Sequence, residues 1–307
     1  MQALKKIILQ TLQTAAHAKS PEAETDLILF YLLKNEGLEL DKLSDLTTQE
    51  PAITALLASD AKDRIQAEAL QIATTRAQGT PLQQVLGVQY FYDHEYKVSN
   101  AVLIPRPETE ILIHIAIQYL QDKFGSEDFT FAELGLGSGI LSTEILAHLD
   151  NGEGFASEWS EAAILIAKEN LSNIIGPDWE GHLEIIKPTS RHEGFEIFLA
   201  QAPFDLIISN PPYVARTDQI EDEVLKHEPD EALFPELNHG AENPNFFYES
   251  FLIHHHQLLK PDGLALFEIP HERAEELLAL FHHAGLKDSV LVDDLTGRPR
   301  VLIAPMG

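Results

Sequence analysis

Residues 204–213 read Phe204-Asp205-Leu206-Ile207-Ile208-Ser209-Asn210-Pro211-Pro212-Tyr213. The run Phe204–Ser209 is apolar enough to read as a strand buried on both faces, as in a parallel sheet covered by helices. Two prolines then stop it, because neither carries an N–H for the ladder. Open α/β sheets bind ligands just beyond the carboxyl ends of their strands. Asn210 and Tyr213, an amide and an aromatic ring on a fixed backbone, therefore stand where chemistry is expected. The competing reading is a proline-rich turn that merely ends a strand. Position and composition together favour a site, one suited to a substrate that is itself a planar amide or amine.

Working outward, strands and helices alternate from residue 129, the pattern of an α/β parallel sheet. The strands expected are Phe129–Leu134, Gly154–Ser157, Leu183–Ile186, Phe204–Ser209, Gly263–Ile269, Asp288–Val292 and Val301–Ala304. Helices fit between them over Gly139–His148, Ser160–Ile174, Asn245–Leu259 and Pro270–Ala284. Residues 1–80 differ. Leu4, Ile8, Leu12 and Ala15 recur at helical spacing, and Ser20-Pro21-Glu22 has the order of an N-cap, a first-turn proline and a dipole-complementing acid. That helix is expected to end near Gly37, and another to run from Asp60 to Arg76 and stop at Gly79. The reading is a helical recognition or packing domain over 1–80, a linking β-hairpin within 81–104 and a catalytic domain over 105–307.

Composition narrows the classes. With 307 residues and 44% hydrophobic content, the chain can form a large domain and a smaller one. Acidic residues outnumber basic ones 49 to 21, a net charge of −28, which repels phosphate backbones and argues against direct nucleic-acid binding. The absence of cysteine excludes disulfides, thiolate catalysis and cysteine-ligated zinc. The N-terminal segment is too short and polar for a signal peptide, and no apolar stretch approaches membrane-spanning length. A soluble, cytoplasmic protein is expected. His254-His255-His256 and His282-His283 point in different directions on a helix, so they read as surface or packing residues rather than a metal site.

Glu133-Leu134-Gly135-Leu136-Gly137-Ser138-Gly139 ends the first strand of the sheet and opens a helix. It is not a dinucleotide fingerprint, since position 140 is Ile140 where that pattern needs its last glycine. The tighter G-x-G-x-G loop, preceded by an acid, fits a nucleoside with a zwitterionic amino-acid tail; a purely structural glycine turn is the alternative. Glu158 ends the next strand, about twenty residues on, where an acid that binds ribose hydroxyls belongs; it also reads as a capping acid ahead of Ser160. With Asn210 these make three sites at adjacent strand ends, the arrangement of an S-adenosylmethionine-dependent methyltransferase. Arg106, between two prolines, reads equally as an exposed linker residue or as a cation aimed at the site.

Four segments resemble the PrmC/HemK family, the N5-glutamine methyltransferases of peptide-chain release factors. They are Gly79–Gly87 with Phe91-Tyr92, Leu103-Ile104-Pro105-Arg106-Pro107-Glu108-Thr109-Glu110, Asn210–Tyr213, and Asp294-Leu295-Thr296-Gly297-Arg298-Pro299-Arg300-Val301. The Pro-Arg-Pro-Glu-Thr-Glu segment is the specific one; Asn-Pro-Pro-Tyr is shared with DNA adenine and RNA guanine methyltransferases. The resemblance implies a class I, Rossmann-like methyltransferase fold with a seven-stranded sheet and a small all-helical N-terminal domain that helps recognise the release factor. It implies that Glu133, Gly135, Leu136, Gly137, Ser138 and Gly139 hold the methionine part of S-adenosylmethionine, that Glu158 holds its ribose, and that Ser190 lies in the adenine-contacting segment. Asn210, Pro211, Pro212 and Tyr213, with Arg106, would hold the target glutamine of a Gly-Gly-Gln loop. The family usually has Asp at 133 and 158, and an acid after the third strand, where this chain reads Lys187-Pro188-Thr189-Ser190-Arg191-His192.

An amide nitrogen is a poor nucleophile because its lone pair is delocalised. The Asn210 side-chain oxygen and the Pro211 carbonyl would accept its two N–H bonds and align it, with Tyr213 packed on the amide plane. Asn210, Pro211 and Tyr213 are thus the expected catalytic residues. Two other functions remain open from the sequence: methylation of an amino group on a flipped base, and a cofactor-binding adaptor without turnover.

Overall fold

Each expected strand of the large domain is present, and the sheet follows from their burial patterns. The computed structural model describes residues 1–14, 18, 20–190, 193–235 and 243–307. Ala15, and Arg191 and His192 of the run quoted above, lie outside the described residues. The chain divides into two compact units. One comprises Met1–Val88 with Glu221–His227, the other Gln89–Ile220 with Glu228–Gly307.

The first unit is helical. Gln2–Gln13 buries Leu4, Ile8 and Leu12 and packs on Lys62–Ala77, which buries Ile65, Ala69, Ile72 and Ala73. Pro21–Asn35 begins with Ser20 at the N-cap position and proline at N1, but the Ser20 hydroxyl makes no capping bond. The buried Arg76 donates from Nε to Glu24 at 2.9 Å and from Nη1 to Glu223 at 3.0 Å. That pair of bonds builds Glu221–His227 into this unit, although it follows the Asn-Pro-Pro-Tyr motif in sequence. A buried guanidinium needs such partners, since desolvation would otherwise cost several kcal/mol.

The second unit starts at Gln89, inside the hairpin of β1 (Val88–Phe91) and β2 (His94–Lys97). Seven further strands follow: β3 (Phe129–Leu134), β4 (Gly152–Ser157), β5 (Leu183–Ile186), β6 (Phe204–Ser209), β7 (Leu259–Glu268), β8 (Val290–Asp293) and β9 (Pro299–Pro305). They form one sheet in the order β5-β4-β3-β6-β7-β9-β8. β5 to β7 are parallel, and β9 runs antiparallel to both its neighbours. This is the class I methyltransferase sheet, with the order reversing between β3 and β6.

All six residues of β6 are buried. Leu206 and Ile208 face a core completed by helices Thr109–Phe124, Ile140–His148 and Glu161–Ile174. Phe204 and Ile207 face a second core with Phe246–Leu258 and Ala274–His283. Covering both faces is what lets the strand be continuously apolar. Leu134 pairs with Ser157 on one side and Ser209 on the other. Gly135, Glu158 and Asn210, one residue further on, therefore emerge side by side at the carboxyl edge.

Candidate active site

The glycine loop is shaped by backbone that only glycine adopts easily. Gly135, Gly137 and Gly139 have φ of +81°, +54° and +84°, in the left-handed region where a Cβ meets the following carbonyl. Gly135 and Leu136 both donate their N–H to the Ser157 carbonyl, at 3.0 and 2.9 Å. Asn170, fully buried, donates from Nδ2 to the Ser138 carbonyl at 2.8 Å and pins the loop from beneath. At Gly139 a Cβ would lie 3.2 Å from Cβ of Ala167.

Two carboxylates frame this loop. Glu133 is buried, and its Oε2 accepts from the Ser142 N–H at 3.0 Å and from the Ser142 hydroxyl. Burial pushes its carboxyl up to about 8, against the Ser142 bonds that favour the charge. Glu158 accepts from the Gly137 N–H on Oε2 and from the Ser160 N–H on Oε1, both at 2.8 Å. Burial raises its carboxyl too, with these backbone donors opposing it and the charge of Glu231 adding to the rise. Glu158 lies on the cleft and also ties the glycine loop to the start of the next helix, as a capping acid does.

A cleft opens over these strand ends, about 1180 Å³ when the space open to solvent is included. Glu133, Gly135 to Ser138, Glu158 and Asn210 line it together, as the sequence reading placed them. Gly139 turns away to pack on Ala167. Pro212 lines the cleft, whereas Pro211 is buried. Tyr213 stands behind the lining, its hydroxyl donating to Glu268 Oε1 at 3.4 Å and its carbonyl accepting from Arg273. Burial beside Glu268 pushes the phenol well above its usual range. Arg106 pairs with Glu228, next to the cleft-lining Pro229, and does not itself reach the lining.

Beyond β5, Pro188 and Glu193 line the cleft and Ser190 does not. Glu193 accepts from the Thr189 N–H at 3.0 Å. It is the first acid after β5, one residue past the run 187–192. Phe234 and Glu231 complete the far wall, and a bond of 3.0 Å from the Val214 N–H to the Leu233 carbonyl holds that wall to the end of the Asn-Pro-Pro-Tyr loop. Glu268 was also missed. The signal for it is an acid ending the apolar run Leu264–Phe267, the same pattern as Glu133 after Phe131-Ala132. Among the described residues no group of three or more metal-ligating side chains converges. No described helix is long and apolar enough to cross a membrane.

The fit to a nucleoside bearing a sulfonium and an amino-acid tail rests on four glutamates in the lining, Glu133, Glu158, Glu193 and Glu231, with no Lys or Arg among the described lining residues. The family model described as Eco57I restriction-modification methylase matches residues 64–276. A "Release factor glutamine methyltransferase" of Clostridium botulinum is 29% identical over 276 residues, covering 89% of each chain. A "Bifunctional methyltransferase" of Rickettsia typhi is 32% identical over 75% of this chain, which spans 46% of that longer protein. The crystal structure of a release factor-specific protein-(glutamine-N5) methyltransferase from Alicyclobacillus acidocaldarius is 19% identical, with a TM-score of 0.41 over 69% of this chain and 99% of that one. The name of the Clostridium botulinum relative is that of the family whose motifs the sequence resembles.

Proposed function

The chain belongs to the family described as Eco57I restriction-modification methylase, and within it we propose, from the site and from the release-factor relative, that this chain methylates the side-chain amide nitrogen of glutamine in the Gly-Gly-Gln loop of a peptide-chain release factor. The observation that carries the reading is Asn210 at the strand end beside the glycine loop and Glu158, on one cleft. The relative that matches 89% of the chain selects a glutamine amide over a base amino group. The cofactor is S-adenosylmethionine, which when bound supplies a sulfonium methyl to the attacking nitrogen.

The residues of this chain supply orientation. Glu158 holds the ribose hydroxyls while keeping the Gly137 N–H in place. Asn210 Oδ1 and the Pro211 carbonyl accept the two N–H bonds of the target amide and localise its lone pair toward the methyl. Tyr213 backs the amide plane. The nitrogen gains the methyl and loses a proton to water, so the chain needs no strong base. Residues 1–80 contribute to recognition of the protein substrate, in the cytoplasm and without direct nucleic-acid contact.

The experiment is incubation of purified protein with S-adenosylmethionine and a release factor, read by mass spectrometry. One added methyl on the Gly-Gly-Gln glutamine is expected. Asn210→Ala should keep cofactor affinity within a few fold and lose about 10²-fold in transfer. The family description and the shared Asn-Pro-Pro-Tyr favour one rival, transfer to a base amino group. Methyl appearing on DNA or RNA with the release factor untouched would establish that rival instead.

A further inference from the structure

Three of the sequence segments that mark this chain converge on one side chain that none of them contains. Glu268 ends β7, and because Ser209 pairs with Phe267, it lies abreast of Asn210. Its carboxylate is buried, at 3% exposure. Oε2 accepts from the Thr109 hydroxyl at 2.7 Å, Oε1 accepts from the Tyr213 hydroxyl at 3.4 Å, and its main-chain oxygen accepts from the Tyr248 hydroxyl at 2.8 Å. Thr109 comes from Pro105–Glu110 and lines the cleft. Tyr213 comes from the loop that carries Asn210. The third segment supplies Arg300, whose positive charge acts on both Glu268 and Tyr213. Its guanidinium is held by Asp294, with Nε to Oδ2 at 3.1 Å. Asp294 in turn closes its own turn by accepting from the Thr296 N–H at 2.8 Å and the Arg298 N–H at 3.1 Å.

An apolar residue would fill the end of β7 without the desolvation cost of a buried carboxylate. The carboxylate instead offers two acceptors set for hydroxyls from two different elements, the first residue of the helix Thr109–Phe124 and the Asn210–Tyr213 loop. We propose that Glu268 is a positioning residue, which ties Thr109 to Tyr213 and so fixes the Asn210–Tyr213 loop against the substrate amide. The role given to that loop rests on the function proposed above; the tie itself does not. A loop held this way keeps Asn210 and Pro211 aligned before substrate arrives, and misplacement by about 1 Å costs on the order of 10²-fold in rate.

The test uses the full chain labelled with 3-fluorotyrosine, the Tyr213 fluorine signal being assigned by its loss in Tyr213→Phe. Glu268→Ala is expected to shift and broaden that signal. It should also lower kcat for methyl transfer by about 10- to 100-fold, with KM for the release factor and Kd for the cofactor changed less than about twofold. Glu268→Gln, which keeps an acceptor at the same reach, should restore the signal and most of the rate. Thr109→Val keeps the side-chain shape and removes one hydroxyl, so it must also move the Tyr213 signal, and it decides the matter if Glu268→Ala does not fold. A Tyr213 signal unmoved in these variants overturns the proposal, as does a loss confined to cofactor Kd. If the wild-type protein transfers no methyl to a release factor, the proposed function fails while the fluorine signal still decides the role of Glu268.

Discussion

At the residue scale, Glu133 and Glu158 sit at neighbouring strand ends but do different work. Glu158 has backbone donors on both oxygens, from Gly137 and Ser160. Glu133 is more deeply buried, and both its donors, from Ser142, fall on one oxygen. Its carboxyl is pushed from 4.5 up to about 8 by that burial. The folded protein therefore holds this proton more tightly than the unfolded chain does. The stabilisation that follows is complete below 4.5 and is lost as pH rises through about 8. Without ligand, stability should fall across that window, and Glu133→Gln should flatten the fall in thermal midpoints measured against pH. A cationic ligand favours the ionised form, so S-adenosylmethionine affinity should rise with pH over the same range and binding should release a proton. Calorimetry in buffers of different ionisation enthalpy reads that proton directly. Equal pH slopes in wild type and Glu133→Gln would assign the titration elsewhere.

At the element scale, the glycine loop is where local backbone and packing make separable demands. Gly139 and Gly297 have similar φ, +84° and +78°, in the same unit. A Cβ at Gly297 meets nothing within 4 Å, whereas at Gly139 it would lie 3.2 Å from Cβ and 3.3 Å from Cα of Ala167. Gly297→Ala should cost the backbone term alone, about 1–2 kcal/mol. Gly139→Ala should cost more, because the helix Glu161–Ile174 must also give way. Urea midpoints compare the two, and equal losses would mean that the close approach to Ala167 carries no energy. The loop was legible in the sequence because glycine spacing reports backbone directly. The start of β4 was not: a strand was expected from Gly154 and runs from Gly152. Glycine weakens a strand by itself, but the rings of Phe129 and Phe131 lie over these two glycines, 2.7 and 2.4 Å from where Cβ atoms would sit. Cross-strand aromatic cover is a tertiary fact, and no local pattern announces it. Glu268 escaped for a related reason, since its partners Thr109 and Tyr213 lie 159 and 55 residues away.

At the scale of the whole molecule, alternation of strands and helices was enough to read the sheet, while the path of the chain between units was not. Glu221–His227 belongs with the helical unit through Arg76 and Glu223, a pairing across 147 residues that no composition shift marks. Charge, by contrast, is legible from composition, and its consequence for binding can be tested. The net charge of −28 includes four glutamates that line the cleft, Glu133, Glu158, Glu193 and Glu231. Such a field concentrates cations, and a surface focused on a cleft strengthens the effect. S-adenosylmethionine carries a sulfonium charge that its product, S-adenosylhomocysteine, lacks, so the field should favour cofactor over product and ease product release. The near carboxylates are screened little by salt, but charges farther than a Debye length, about 10 Å at 0.1 M, are screened strongly. Raising ionic strength should therefore weaken S-adenosylmethionine binding and leave S-adenosylhomocysteine binding nearly flat, narrowing the ratio without abolishing it. Titrations of both ligands across a salt series measure this. Parallel curves would mean that the acidity serves solubility alone and that the cleft distinguishes the two ligands by contact, if at all.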